Sequence, residues 1–143
     1  MKFENYMILE FPSKSANESF ARSAVSCFAA QMDPTIEELG DIRTSVSEAV
    51  TNAIVHGYPD ELGMITIRCR ILKDHILDIV VKDKGIGIAD IEQARKPMFT
   101  TGGADRSGMG FTIMESFMTT VDITSEPGKG TTVHMRRRLQ RRK

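Results

Sequence analysis

Apolar and polar positions change their period several times along this chain, and each change marks an element. The short apolar-rich stretch Tyr6–Phe11, ended by Pro12-Ser13, predicts a strand. Asn17 then stands as an N-cap, and Phe20, Ala24, Cys27 and Phe28 follow at helical spacing, which predicts a helix running to about Met32. A second helix starts at Pro34-Thr35, where Thr35 and Glu38 have capping-box spacing. Ile36, Leu39, Ile42, Val46, Ala49, Val50, Ala53 and Ile54 make its apolar stripe. His56 in the last turn, Gly57 as a left-handed cap and Pro59 beyond it predict the stop.

The period then drops to two. Ile65, Ile67, Cys69 and Ile71 alternate with Thr66, Arg68 and Arg70, the pattern of a strand with one wet face. Lys73-Asp74-His75 turns the chain into a second strand, Ile76–Lys82, and the two predict a hairpin. Residues 96–107 lack periodicity and predict a loop. Met109–Met118 predicts a third helix, and Val121–Ile123 and Thr131–Met135 two further strands joined by the turn Pro127–Gly130. Strands with three helices and mainly antiparallel hairpins predict an α/β (α+β) two-layer sandwich: a mixed, mainly antiparallel sheet with helices on one face. No repeat or linker divides the chain, so a single domain over residues 1–143 is expected.

Composition narrows the class. With 41% hydrophobic and 27% charged residues, the chain is ordinary for a soluble globular protein. Its formal net charge of zero predicts no direct nucleic-acid or membrane partner. The charge is uneven, since Arg136, Arg137, Arg138, Arg141, Arg142 and Lys143 crowd the end, a basic tail read as solvated and frayed. Cys27 and Cys69, neither in a CxxC pair, read as reduced core cysteines. Asp78 interrupts the best apolar run and the N-terminus has no apolar signal stretch, so a cytoplasmic location is expected.

Three short constellations carry chemistry. Glu48 and Asn52 lie four apart on the second helix and so share a face. An amide oxygen is a hard ligand suited to Mg²⁺, and a carboxylate nearby can take a proton from an attacking hydroxyl. Alone, this pair reads as a solvent-facing Glu/Asn couple. Asp83, Gly85 and Gly87 follow a strand. The glycines permit close ligand approach, and an ionised Asp offers only acceptors, which suits the exocyclic amine of adenine and opposes the oxygen of guanine. Alone, this is a common Asp-x-Gly turn. Gly108 and Gly110 open the third helix, where free N–H groups attract phosphate, with Arg106 placed to add a charge-assisted bond and Thr100 and Thr101 to add hydroxyls. Alone, that is a flexible loop with an exposed arginine. No GxxxxGK[ST] is present, and the glycines do not follow a first strand as a dinucleotide fingerprint requires.

Taken together, Glu48…Asn52, Asp83-x-Gly85-x-Gly87 and Gly108-x-Gly110 resemble the N, G1 and G2 boxes of the Bergerat-fold GHKL ATPase/kinase superfamily. The segments Ser47–Tyr58, Arg106–Met118 and Asn17–Val25 are similar to the anti-sigma-F factors of spore-forming bacteria, dimeric serine protein kinases that inhibit a sporulation sigma factor. The resemblance runs to about Met135.

It implies ATP or ADP with Mg²⁺ as ligands, Glu48 as general base on a substrate serine, Asn52 as the metal ligand and Asp83 as the adenine selector. Gly85 and Gly87 would shape the base pocket, and Thr100, Arg106, Gly108 and Gly110 would hold the phosphates. Glu18 and Arg22 match positions that meet protein partners, namely the sigma factor and an anti-anti-sigma substrate; without the resemblance they read as a surface ion pair. The lid, Thr100–Arg106, is glycine-rich, hence easily deformed and costly to order. Two alternatives stand beside this reading: a stress-type, sigma-B-like anti-sigma kinase, and a nucleotide-dependent binding module without useful phosphotransfer. Glu48 favours an enzyme, since a pure binding module needs no base.

Overall fold

The computed structural model describes residues 3–88, 91 and 110–141. In chain order, strand β1 (Phe3–Pro12) leads to helix α1 (Ala16–Ala29), a 3₁₀ turn (Ala30–Met32), helix α2 (Ile36–Asn52) and a π turn (Ala53–Gly57). The hairpin β2 (Met64–Leu72) and β3 (Ile76–Asp83) follows, then helix α3 (Gly110–Phe117), β4 (Thr120–Glu126) and β5 (Gly130–Arg138). The strands form one sheet in the order β1-β2-β3-β5-β4. Among the described residues every neighbouring pair is antiparallel, so the expected mixed character is not seen there. Helices α1, α2 and α3 pack beside one another to give the expected α/β sandwich. No helix among the described residues is long and apolar enough to cross a membrane.

Period-two alternation sets the sheet's two faces. Ile65, Ile67, Cys69, Leu77, Ile79, Val81, Val133 and Met135 are buried beneath the helices. From α2 they meet Ile42, Val46, Ala49 and Val50. The Thr35–Glu38 capping box is present in full. Asp74 and His75 both take positive φ (66° and 62°) in the β2–β3 turn, which lets three residues reverse the chain.

Several expectations fail for identifiable reasons. The α1 N-cap is Ser15, not Asn17, whose amide instead donates to the Pro12 carbonyl. The buried face of α1 is Ala21, Val25, Ser26 and Ala29, while Phe20 is 52% exposed and Cys27 is also exposed. Small residues let α1 lie close to α2 and turn the larger ones outward. Ile36, in the first turn of α2, is exposed too. Cys69 is a core thiol, pushed up to about 12 by burial and the nearby Asp78 charge.

The basic tail is not frayed at its start. Arg136, Arg137 and Arg138 belong to β5, and Leu139 is buried. Arg137 donates to Asp41 on α2 (2.6 Å) and to the Phe117 carbonyl that ends α3. The Gln140 amide donates to Glu38 (2.8 Å). Arg136 joins a cluster on the open face of the sheet, where Asp78 is fully buried among Arg68, Arg70, His134 and Arg136. Burial pushes the Asp78 carboxyl up, but hydrogen bonds from His134 and Arg136 and the charges of His134 and Arg70 outweigh it and hold the group below its ordinary value of 3.8.

A carboxylate with a depressed folded pKa stabilises the fold above its unfolded pKa and loses that contribution as pH falls through the folded value. Asp78→Asn should therefore lower stability at neutral pH by about 3 kcal/mol, the low end for a broken buried pair because the arginines are partly screened. The acid loss of stability below pH 3.8 should flatten in the variant. Urea titrations of both proteins between neutral pH and pH 3 measure the two effects.

Candidate functional site

The second helix does not end as its sequence suggests. Beyond Asn52 it widens into the π turn Ala53–Gly57, and Gly57 does not take positive φ. Its glycine is required for space instead. A Cβ at Gly57 would lie 2.9 Å from the Asp83 carboxyl carbon, and a Cβ at Gly85 would lie 1.9 Å from the Gly57 carbonyl oxygen. The end of α2 and the turn after β3 thus meet backbone to backbone. The Ile86 amide donates to the Gly57 carbonyl (2.9 Å) across this contact. π turns of this kind recur at functional sites, where they re-aim side chains that a regular helix would place elsewhere.

Asp83 closes β3 and is 6% exposed. Its Oδ1 accepts from the Gly85 amide at 2.9 Å. Burial raises its pKa, and hydrogen bonds from the Gly85 and Thr131 amides only partly pull it back, so the carboxyl sits above its ordinary value of 3.8. Among the described residues, Asp83 has no cation partner of the kind Asp78 has. One narrow cleft is lined by Ala49, Asn52, Ala53, His56, Gly57, Val81, Asp83, Gly87, Ile88, Thr131 and Val133. Asn52, Asp83 and Gly87, predicted from two separate stretches of sequence, therefore line one cleft.

Gly87 (φ 79°) needs its glycine twice over, because a Cβ there would also sit 2.2 Å from the Glu126 carbonyl oxygen. The Ile88 amide donates to Ser125 Oγ (2.7 Å), and that hydroxyl contacts Thr131 Oγ1 (2.8 Å). The Gly87–Ile88 loop is thereby fixed to the β4–β5 hairpin.

Glu48 lies outside the cleft wall, one helical turn before Asn52, and faces the start of α3. A Cβ on Gly110 would come 3.2 Å from Glu48 Oε1. The carboxylate and the N-terminus of α3 are thus adjacent, an arrangement the helix dipole favours. Thr100, Arg106 and Gly108, with the glycine-rich lid, lie outside the described residues. Glu18 and Arg22 sit on α1 as an i,i+4 pair, 3.7 Å apart, away from the cleft.

Sequence reasoning missed Tyr58, Ser125, Ile88 and Thr131. Thr131 carried only a strand signal, and Ser125 fell between the expected strand Val121–Ile123 and the turn Pro127–Gly130. Tyr58 carried none beyond its place after Gly57. His56 was assigned to the helix end; it is there, and it also lines the cleft.

The donor set suits a divalent cation that takes most of its ligands from elsewhere. Among the described residues no three His, Cys, Asp or Glu groups converge as a metal cage. One amide oxygen at Asn52 with a carboxylate a turn away fits Mg²⁺, which keeps waters and borrows phosphate oxygens.

The histidine kinase-like ATPase domain matches residues 11–137. An anti-sigma F factor of Caldanaerobacter subterraneus is 54% identical over 142 residues, covering 99% of each chain. One from a Thermoanaerobacter species is 56% identical over 136 residues, covering 94% of each. The RsbU and RsbW domains of a Mycobacterium tuberculosis protein superpose with a TM-score of 0.73 at 19% identity, covering 97% of this chain and 34% of that one, a likeness of fold. With the matched domain spanning nearly the whole sequence and relatives above half identity end to end, the chain belongs to the histidine kinase-like ATPase family, in the group of the anti-sigma F factors.

Proposed function

We propose that this protein is an anti-sigma factor and an ATP-dependent serine protein kinase. It holds a sigma factor of the sporulation type when ATP is bound, and it phosphorylates a serine of an anti-anti-sigma antagonist. The observation that carries the reading is the meeting of Asn52, Asp83 and Gly87 in one cleft with Glu48 set against Gly110. The names of relatives above half identity supply the partner classes.

In this reading the Asp83 carboxylate accepts from the exocyclic amine of adenine, and the backbone around Gly85 and Gly87 admits the base. The phosphates run toward the N-terminus of α3, with Thr100, Arg106, Gly108 and Gly110 as their donors. Mg²⁺, held by Asn52, would neutralise phosphate charge that the Glu48 carboxylate otherwise opposes. Glu48 takes the proton of the substrate serine as its oxygen attacks the terminal phosphorus, and ADP leaves. Glu18 and Arg22 on α1 form part of the surface that meets sigma factor and antagonist. The protein acts as a cytoplasmic homodimer. Transfer of labelled phosphate from ATP to a purified antagonist tests the whole proposal; no transfer with bound ATP would reduce the protein to a nucleotide-dependent binding module.

Three variants dissect it. Glu48→Gln is nearly isosteric and has no basic function at neutral pH, so single-turnover transfer should fall about 10²–10⁴-fold while ATP affinity holds. Asp83→Asn should weaken ATP binding about tenfold and leave weak GTP binding as it is, since the amide can present a donor to the adenine amine. The same change should stabilise the unliganded protein, because it removes a buried charge that burial disfavours. Calorimetric titration across pH gives a further readout. Wild-type affinity should decline as pH falls through the raised Asp83 pKa, above the ordinary 3.8, and the variant should lack that decline. Arg22→Ala should weaken sigma-factor and antagonist binding in pull-downs with Mg-ATP or Mg-ADP, with unchanged nucleotide affinity; wild-type binding to both partners would remove α1 from the docking surface.

A further inference from the structure

Tyr58 follows the π turn and belongs to none of the nucleotide motifs, yet its hydroxyl joins two of the elements that frame the site. Tyr58 Oη donates to the Met64 carbonyl at the start of β2 (2.8 Å) and accepts from the Lys84 amide at the end of β3 (2.7 Å). The ring packs against Gly63, where a Cβ would lie only 2.1 Å from Tyr58 Cε1. Gly63 is in turn fixed by a reciprocal pair: the Ser13 amide donates to the Gly63 carbonyl (2.8 Å) and the Gly63 amide to Ser13 Oγ (3.0 Å). Ser13 is buried at the end of β1. The hydroxyl is therefore a fixed point referenced to the far edge of the sheet.

What it fixes is the peptide between Asp83 and Lys84. The Lys84 amide follows directly on the Asp83 carbonyl, and the next amide, of Gly85, is the one that Asp83 Oδ1 binds. With Ile86 tied to the Gly57 carbonyl, three successive amides of the turn are each anchored to a different acceptor: a tyrosine hydroxyl, the Asp83 carboxylate and the helix-end carbonyl. Removing the first anchor frees the peptide plane nearest the carboxylate and leaves the other two in place. The direction of the free lone pairs of Asp83 depends on that plane, and hydrogen bonds weaken steeply as their geometry departs from linear.

We propose that Tyr58 is a specificity-determining positioning residue of the nucleotide site, whose hydroxyl aims the Asp83 carboxylate at the adenine amine; this rests on the reading of Asp83 given above. Tyr58→Phe keeps the ring on Gly63 and removes only the oxygen. The test compares ATP with purine riboside triphosphate, which lacks the exocyclic amine, by calorimetric titration of the full chain with Mg²⁺. Wild type should bind ATP about tenfold more tightly than the purine nucleotide, and Tyr58→Phe should shrink that ratio to about twofold, mainly through loss of ATP affinity. A merely structural tyrosine would lower both affinities together and leave the ratio alone. Gly63→Ala, which keeps the hydroxyl but displaces the ring, is the independent variant and should shrink the ratio in the same way. A wild type that does not discriminate overturns the Asp83 reading and the proposal with it. A discriminating wild type whose two variants discriminate equally well overturns the role of Tyr58 alone.

Discussion

The site depends on one contact, the backbone of Gly57 against the Asp83–Gly85 turn. There is no room for a side-chain carbon on either glycine, and the Ile86 amide closes the contact by donating to the Gly57 carbonyl. This contact joins the helix that carries Glu48 and Asn52 to the strand that ends in Asp83. It converts two local motifs, each unremarkable alone, into one cleft. The π turn before it belongs to the same geometry, since the chain reaches Tyr58 without the left-handed cap residue that would have turned it away from the sheet.

Two buried aspartates on the same strand sit in opposite electrostatic surroundings. Asp78 points to the open face and is surrounded by three arginines and a histidine, of which His134, Arg136 and Arg70 hold its pKa down. Asp83 points to the helix face, where burial dominates and only backbone amides compensate. Their contributions to stability run in opposite directions as pH falls: Asp78 loses its stabilisation, while protonation of Asp83 relieves a penalty. A carboxylate left under-compensated in a cleft is what a ligand's own donors can satisfy, whereas one saturated by cations has nothing left to offer.

Much of this was readable from sequence, and the exceptions share a cause. Alternation in β2 and the Thr35–Glu38 capping box are local patterns, and they emerge as written. What failed depends on residues far apart. Phe20 and Cys27 have helical spacing, but α1 approaches α2 through Ala21, Val25 and Ala29, so the larger side chains face out. The arginines at the end look like a solvated run until Asp41, Asp78 and the end of α3 supply partners from 20 to 96 residues away. Gly57 has the spacing of a cap and the function of a contact. Gly110 is legible as a helix-opening glycine, but its nearness to Glu48 is not, since 62 residues separate them.

That last separation matters for the proposed reading, in which Glu48 is the base and the phosphates lie near the start of α3. A carboxylate and a triphosphate repel, so a chain placing Glu48 at the mouth of a helix needs opposing charge there. The dipole at the start of α3 supplies part of it and, on the proposed reading, a divalent cation held by Asn52, one turn along α2, would supply the rest. The Arg137 bonds to Asp41 and to the Phe117 carbonyl fix the position of α3 from its opposite end. The arginine that looked like tail thus tethers α3 to α2, the helix that bears Glu48 and Asn52.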